Sequence, residues 1–337
     1  MPSNRQIVLA ARPSGPPRTS DFALVETPSP SPADGDVLVR IVFLSVDPYM
    51  RALMNEAGSG YRAAVAIGAV MVGGAVGQVV ESRDPRIAAG DFVEGMFGWQ
   101  EYAVARASGV RKLDPSLAPV STALGVLGMP GMTAYFGLLE IGRPKPGETV
   151  VVSGAAGAVG SLVGQIARIQ GCRVVGAAGD DAKVAWLVEE LGFDGAFNYK
   201  TTADYHARLG ELCPAGIDVY FDNTGGAITN AVLRRINTGA RIAICGQISQ
   251  YNLARPEPVP APYLTLLVKQ ARMEGFLVFQ FASRYAEGAR QMAAWLGEGK
   301  LHFRERIAEG IENAPQAFLE MLEGRNTGKQ LVRVAAN

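Results

Sequence analysis

The 337-residue chain is long enough for two domains at roughly 150 residues each, and its 48% hydrophobic content supplies a buried core and excludes wholesale disorder. Thirty-two basic residues cancel 32 acidic ones, which removes the electrostatic case for nucleic acid or an anionic membrane as the main partner. Three cysteines (Cys172, Cys213, Cys245) and two histidines (His206, His302) are too few and too scattered for a disulfide framework, a zinc ribbon or a multi-histidine site.

Taken in chain order, residues 1–15 hold one apolar run, 7–11, too short for the core of a secretory signal. Uncharged stretches at 63–80 and 115–139 are broken by glycines, and the second also by Pro130, which predicts packed interior rather than a membrane span. A cytoplasmic protein is the expectation. Val37, Val39 and Ile41 alternate with other residues as in a half-buried strand, and 73–81 and 91–96 are predicted as further strands. After Gly147 the pattern changes. Strands are predicted at 149–153, 173–177, 196–199, 217–222, 240–245 and 275–279, with helices at 158–170 and 183–191 and more between the later strands. That alternation indicates a parallel, doubly wound Rossmann sheet in an α/β protein. The rhythm is lost near Gly299, and a last strand is predicted over 330–334.

Gly154-Ala155-Ala156-Gly157-Ala158-Val159-Gly160 falls between the first strand and first helix of the alternating part. Glycines there let the backbone turn tightly and approach a pyrophosphate, which the helix N-terminus favours. The spacing G-x-x-G-x-x-G is a weak pattern alone; its place at the head of a βαβ unit makes dinucleotide binding the better reading than a tight junction with nothing bound. The second strand ends in Ala177-Ala178-Gly179, with no acidic residue for a ribose 2′-hydroxyl at the tip itself. Lys183 follows and favours a 2′-phosphate, hence NADP(H), although Asp180 and Asp181 oppose it.

In order along the chain stand Asp47-Pro48-Tyr49-Met50-Arg51, Gly128-Met129-Pro130-Gly131-Met132-Thr133-Ala134-Tyr135, the glycine loop, Asn198-Tyr199-Lys200, Asp222-Asn223-Thr224-Gly225-Gly226, Arg272-Met273-Glu274-Gly275-Phe276 and Asn326-Thr327-Gly328-Lys329. Together they resemble the zinc-independent medium-chain dehydrogenase/reductases of the leukotriene B4 dehydrogenase, prostaglandin reductase and curcumin reductase group. The resemblance implies a GroES-like β-barrel domain from 1–130 and 299–337, with a Rossmann NADP-binding domain over 131–298. It implies NADPH-dependent reduction of the carbon–carbon double bond of enones and enals, in a homodimer. By position, Gly154, Ala156, Gly157, Ala158, Val159 and Gly160 would hold the pyrophosphate, and Lys183 and Tyr199 the 2′-phosphate end. Met129, Thr133, Asn223, Phe276 and Val278 would line the nicotinamide and its ribose, beside Cys245, Gly246 and Tyr251 at a strand end, and Asn326 would close from the tail. Two positions depart from the group: Gly154 stands where alanine is frequent, and Val268 where some prostaglandin reductases carry tyrosine, which speaks against prostaglandin-type substrates.

No tyrosine has a lysine four residues on, which excludes the Tyr-x-x-x-Lys pair of short-chain dehydrogenases. Hydride addition to a conjugated carbonyl leaves an enolate oxygen that needs a donor. Tyr251 is the first candidate, Tyr49 the next for positioning substrate, and Tyr61 the third. Competing readings are a quinone reductase on the same scaffold and a non-catalytic NADPH-binding module. The loops 55–64 and 252–263 would shape the substrate pocket. Residues 1–130 hold neither cysteine nor histidine, so no metal site is expected. Activity should therefore survive exhaustive chelation, with no stoichiometric zinc in the purified protein; activity restored only by added divalent metal would overturn this.

Overall fold

A computed structural model describes residues 3–253 and 261–335. The chain divides into two compact units: 1–125 with 305–326 and 330–337, and 126–304 with 327–329.

The first unit is antiparallel. Its strands are β1 (Ser3–Leu9), β2 (Phe22–Pro28), β3 (Asp36–Ser45), β4 (Ala75–Ser82), β5 (Phe92–Gly95), β6 (Tyr102–Arg106) and β7 (Arg111–Leu113). The chain later adds β14 (Glu305–Glu309) and β15 (Lys329–Arg333) after the second unit's β8 (Thr149–Val152), β9 (Arg173–Ala178), β10 (Gly195–Asn198), β11 (Ile217–Asp222), β12 (Ile236–Ile244) and β13 (Arg272–Gly275). The sheet runs β14-β15-β3-β4-β5-β7 with β6 also on β3, and β1 pairs with β2. β3 is long because Val37, Val39 and Ile41 alternate inward to a core with Trp99, Phe22 and Phe318, whose rings stack or meet edge to face.

The second unit's sheet is parallel throughout, in the order β10-β9-β8-β11-β12-β13. Counted within the unit this is 3-2-1-4-5-6, the doubly wound order, whose direction of winding reverses between β8 and β11. β8 is Thr-Val-Val-Val and buried at every position, as a central strand covered on both faces must be.

Several predicted elements shift. The strand predicted at 275–279 lies earlier, at β13, and Val278–Arg284 is a 3-10 turn. Phe276 and Val278 are apolar because both are buried in the core, not because they continue a strand. The helix predicted over 183–191 starts at Asp181, capped by the Asp180 carboxylate, and widens to a π-helical turn over Trp186–Glu190. Pro130 does not interrupt a helix. It occupies the first turn of Met129–Phe136, where its missing N–H costs nothing. β1 and β2, joined through Pro13-Ser14-Gly15-Pro16-Pro17, lie in a part of the chain for which the sequence predicted no strand. No helix among the described residues is long and apolar enough to cross a membrane.

The helix Gly160–Ile169 lies against the sheet through Gly164: a Cβ there would stand 1.9 Å from Cζ of the buried Phe193. Gly164→Ala should destabilise the protein by about 1–3 kcal/mol through overpacking, although alanine gains about 1 kcal/mol of helix propensity. Urea unfolding should show that loss, and adding Phe193→Leu should recover part of it.

Candidate functional site

The glycine loop leaves β8 at the point where the winding reverses. Gly154 has φ +59°, which side-chain residues rarely adopt. A Cβ at Gly160 would lie 2.3 Å from the Gly154 carbonyl oxygen, so the helix can start this close to the strand only with glycine there. Gly157 N–H donates to Gly154 O at 3.0 Å and Ala155 N–H to Ala177 O at 3.0 Å, which fixes the loop's curve. A parallel bridge joins Gly157 to Gly328 beside the helix start, and no side chain caps the helix. Donors converge there at the positive end of a ten-residue helix, which suits a pyrophosphate. A segment distant in sequence completes the loop: Gly328 N–H donates to Ala156 O at 2.8 Å. Gly328 has φ +69°, and a Cβ there would lie 2.1 Å from the Arg304 carbonyl oxygen.

Across the reversal point stands a carboxylate whose role sequence reasoning missed. Asp222 is fully buried at the end of β11. Its Oδ1 accepts from Ser153 Oγ (3.0 Å), Tyr220 Oη (2.9 Å), Thr224 N (3.0 Å) and Gly225 N (2.8 Å), and its Oδ2 from Thr229 Oγ1 (2.7 Å). Its carbonyl accepts from Cys245 N and Gly246 N at 2.8 and 3.1 Å. Burial, then the Asp222 charge, pushes the Tyr220 phenol well above its ordinary value, so it stays a donor. The same causes push the Cys245 thiol up to about 12, which keeps it neutral. Asn223 is held by Nδ2 donating to Ser153 O (2.7 Å) and by its N–H donating to Ser153 Oγ (2.9 Å). Only the motif Asp222-Asn223-Thr224-Gly225-Gly226 hinted at this, since a buried acceptor cannot be told from a surface one by type alone.

Tyr251 follows a short 3-10 turn, Ile248–Gln250, and folds back on the end of β12. Its Oη accepts from Gln247 N at 3.3 Å and would lie 3.4 Å from a Cβ at Gly246. The structure thus brings Tyr251, Cys245, Gly246 and Asn223 together. Thr133 turns its hydroxyl into its own helix, donating to Met129 O at 2.7 Å. Met129 is half-buried, and the side chains of Phe276 and Val278 are buried in the core, Phe276 against Phe221. Residues 254–260 of the predicted loop 252–263 lie outside the described residues.

At the tip of β9 the Tyr199 ring closes on Gly179: a Cβ there would lie 3.0 Å from Tyr199 Oη. Burial, then Tyr205 and Asp180, raises the Tyr199 phenol. Lys183 is buried. Its side chain is 7% exposed, and its Nζ stands 3.4 Å from Asp180 Oδ2, whose own side chain is 50% exposed. Asn198 Nδ2 donates to Asp181 Oδ1 at 2.8 Å.

In the first unit, Tyr49 is half-buried, with the Arg62 guanidinium 5.8 Å from its ring centroid. Burial first, and the Asp47 charge second, raises its phenol above the ordinary value. Tyr61 is 44% exposed, and Asn326 is half-buried.

Fold and site define a two-unit oxidoreductase with a dinucleotide-binding parallel sheet. Residues 5–113 match the family described as the N-terminal domain of oxidoreductase, and 158–295 the family described as zinc-binding dehydrogenase. NADPH-dependent curcumin reductase of Escherichia coli (strain K12) is 46% identical over 99% of this chain and 98% of its own length. Prostaglandin reductase 1 of Mus musculus is 46% identical over 95% of each. The crystal structure of CurA in complex with NADPH from Vibrio vulnificus superposes with a TM-score of 0.95 at 46% identity, covering 99% of this chain and 100% of that one. The chain belongs to the zinc-independent medium-chain dehydrogenase/reductases, in the group of curcumin and prostaglandin reductases, and its antiparallel unit is the family's GroES-like domain. One matched family carries zinc in its description. Among the described residues, no three His, Cys, Asp or Glu side chains gather as ligands.

Asp222→Asn keeps the shape but leaves one oxygen and one NH2 group where only donors converge. A hydrogen bond to a charged group contributes about 1.5–3 kcal/mol, so unfolding in urea should show a loss of at least that size. Ser153→Ala removes one of these bonds and should also lose about 1.5–3 kcal/mol. Equal stability of Asp222→Asn and the parent would show that the buried carboxylate does not organise this end of the sheet.

Proposed function

We propose that the protein is an NADPH-dependent reductase of the carbon–carbon double bond of α,β-unsaturated ketones and aldehydes, with hydride added at the β-carbon and no zinc in the reaction. The observation that carries this is the glycine loop at the winding reversal, opening into a helix with no side-chain cap, with Lys183 and Tyr199 at the tip of β9. The residues fit the cofactor. Gly154, Ala156, Gly157, Ala158, Val159 and Gly160 hold the pyrophosphate, and Lys183 and Tyr199 flank the 2′-phosphate. Met129, Thr133, Asn223, Cys245, Gly246, Phe276 and Val278 border the nicotinamide end, with Asn326 from the tail. When bound, NADPH supplies the hydride.

The chain's own residues then have two tasks. They hold the enone carbonyl in one orientation, and they offer a hydrogen-bond donor where the enolate oxygen gathers charge. Tyr251 is the donor in this proposal, at the carboxyl edge where doubly wound sheets place ligands. Tyr49, kept protonated by burial, positions substrate, with Tyr61 as a further candidate. Solvent supplies the proton that completes the α-carbon. The substrate is a small molecule; nucleic acid and membrane are not partners, and the protein acts in the cytoplasm. A homodimer is proposed as well, supported by the exposed apolar residues Tyr263, Leu264, Leu267 and Val268 on one helix next to β13, the outer strand of its sheet among the described residues.

Incubation with NADPH and a mixed panel of enones, enals and quinones tests the reading. Saturated ketones and aldehydes are expected; hydroquinones with little enone turnover would mean a quinone reductase, and unoxidised cofactor a binding module. Tyr251→Phe keeps the ring and removes the donor, so single-turnover hydride transfer at saturating NADPH should slow while cofactor affinity holds. Loss of one such donor elsewhere costs roughly 100-fold or more; the loss here would be smaller were a hydroxyl of the bound cofactor to share the role. A parental rate in Tyr251→Phe would remove Tyr251 from the mechanism.

A further inference from the structure

The tip of β9 carries a conflict of charge that the cofactor assignment does not resolve. Lys183 is the cation proposed for the 2′-phosphate, yet its ammonium lies 3.4 Å from the Asp180 carboxylate. Asp180 also caps the following helix, its Oδ1 accepting from Lys183 N at 2.8 Å, which fixes the carboxylate directly beside the lysine. The second acidic residue of the pair is directed elsewhere, since Asp181 Oδ1 accepts from Asn198 Nδ2. Asp180 also faces the other flank of the site, its charge being one of the causes that raise the Tyr199 phenol.

We propose that Asp180 is a specificity-determining residue that stands beside the 2′-phosphate site: it pairs with Lys183 and opposes the phosphate when NADPH binds. This rests on the assignment of NADP(H) to this strand end. A phosphate within hydrogen-bond distance of Lys183 Nζ places its charge a few ångströms from a carboxylate that is itself 3.4 Å from that nitrogen. The repulsion lowers affinity for NADPH and leaves NADH, with its neutral 2′-hydroxyl, unopposed. The hydroxyl is also a donor that a carboxylate accepts. Asp180 therefore narrows the preference between the two cofactors, at a position where a neutral cap would widen it. Half of the Asp180 side chain is exposed, so the repulsion is screened by salt.

The test is equilibrium binding of NADPH, NADH and adenosine 2′,5′-bisphosphate to the parent and to Asp180→Asn, at low and high salt. Asparagine caps helices as well as aspartate does, so the helix start is retained, and Asp180→Ser, which keeps a capping oxygen without charge, serves as the second variant. Both should bind NADPH and the bisphosphate about tenfold more tightly, the scale of one like-charge contact near the surface, with no gain for NADH. The gain should shrink at high salt and persist when Lys183→Ala is added, because the repulsion is between the carboxylate and the phosphate. NADPH binding that is unchanged or weaker in both variants would overturn the proposal, showing that Asp180 supports Lys183 rather than opposing the phosphate. If the parent itself binds NADPH no better than NADH, the cofactor assignment fails instead, a result distinct from unchanged affinity in the variants.

Discussion

The Asp222 carboxylate is the constraint on which the carboxyl end of the parallel sheet depends. A charge with no exposure is tolerated only when donors surround it. Here those donors are Ser153 from the end of β8, Tyr220 from β11 itself, the Thr224 and Gly225 backbone, and Thr229 from the next helix. One acceptor therefore ties together the strands on both sides of the winding reversal. Ser153 then passes the constraint on, because its hydroxyl both donates to Asp222 and accepts from Asn223 N, while its carbonyl holds the Asn223 amide. Cys245 and Gly246 hang from the Asp222 carbonyl, and Tyr251 closes on Gln247 just beyond.

From this follows a division of labour between backbone and side chains. The glycine loop presents N–H groups and no functional side chains, and its shape is set by hard contacts: the absent Cβ of Gly160, the left-handed Gly154 and the tail residue Gly328 on Ala156. Backbone donors at a helix start accept a pyrophosphate from any dinucleotide. Discrimination has to come from the tip of β9, where a lysine, a tyrosine and a carboxylate meet around Gly179.

How far the sequence reveals this depends on the range of each interaction. The parallel sheet was legible because its signal is local: a β-branched run such as 149–152, a glycine turn and an apolar-periodic helix repeat within some thirty residues. β1 and β2 were not, because neither carries period-two alternation strong enough to stand out, and both are specified by packing on residues such as Trp99 and Phe318 far along the chain. The strand predicted at 275–279 failed for a related reason. An apolar run in a core can belong to a link or a turn as well as to a strand: Phe276 is buried from the link after β13 and Val278 from the start of the 3-10 turn. At the candidate site, residue types were readable, but pairings were not. Lys183 was legible as a cation near a strand tip; its partner Asp180 was legible only as an opposing charge, and its burial not at all. Asp222 lay within a quoted motif with no role, because the donors that give it one come from 69 residues upstream as well as from its own neighbours.

The tail shows why such a site resists reading in pieces. Gly328 lies 172 residues after Ala156, yet its N–H fixes the Ala156 carbonyl, and so the plane of the peptide that also carries Gly157 N–H. Gly157 N–H then donates within the loop to Gly154 O, leaving the next N–H groups turned to the helix start. Gly328 has a left-handed φ, and its missing Cβ would collide with the Arg304 carbonyl. Arg304 O in turn accepts from Lys329 N at 2.9 Å, so the returning strand and the loop are held by one short run of backbone. A cradle built of main-chain groups thus draws its rigidity from two distant glycine-dependent contacts, and no single motif of the loop contains the information that shapes it.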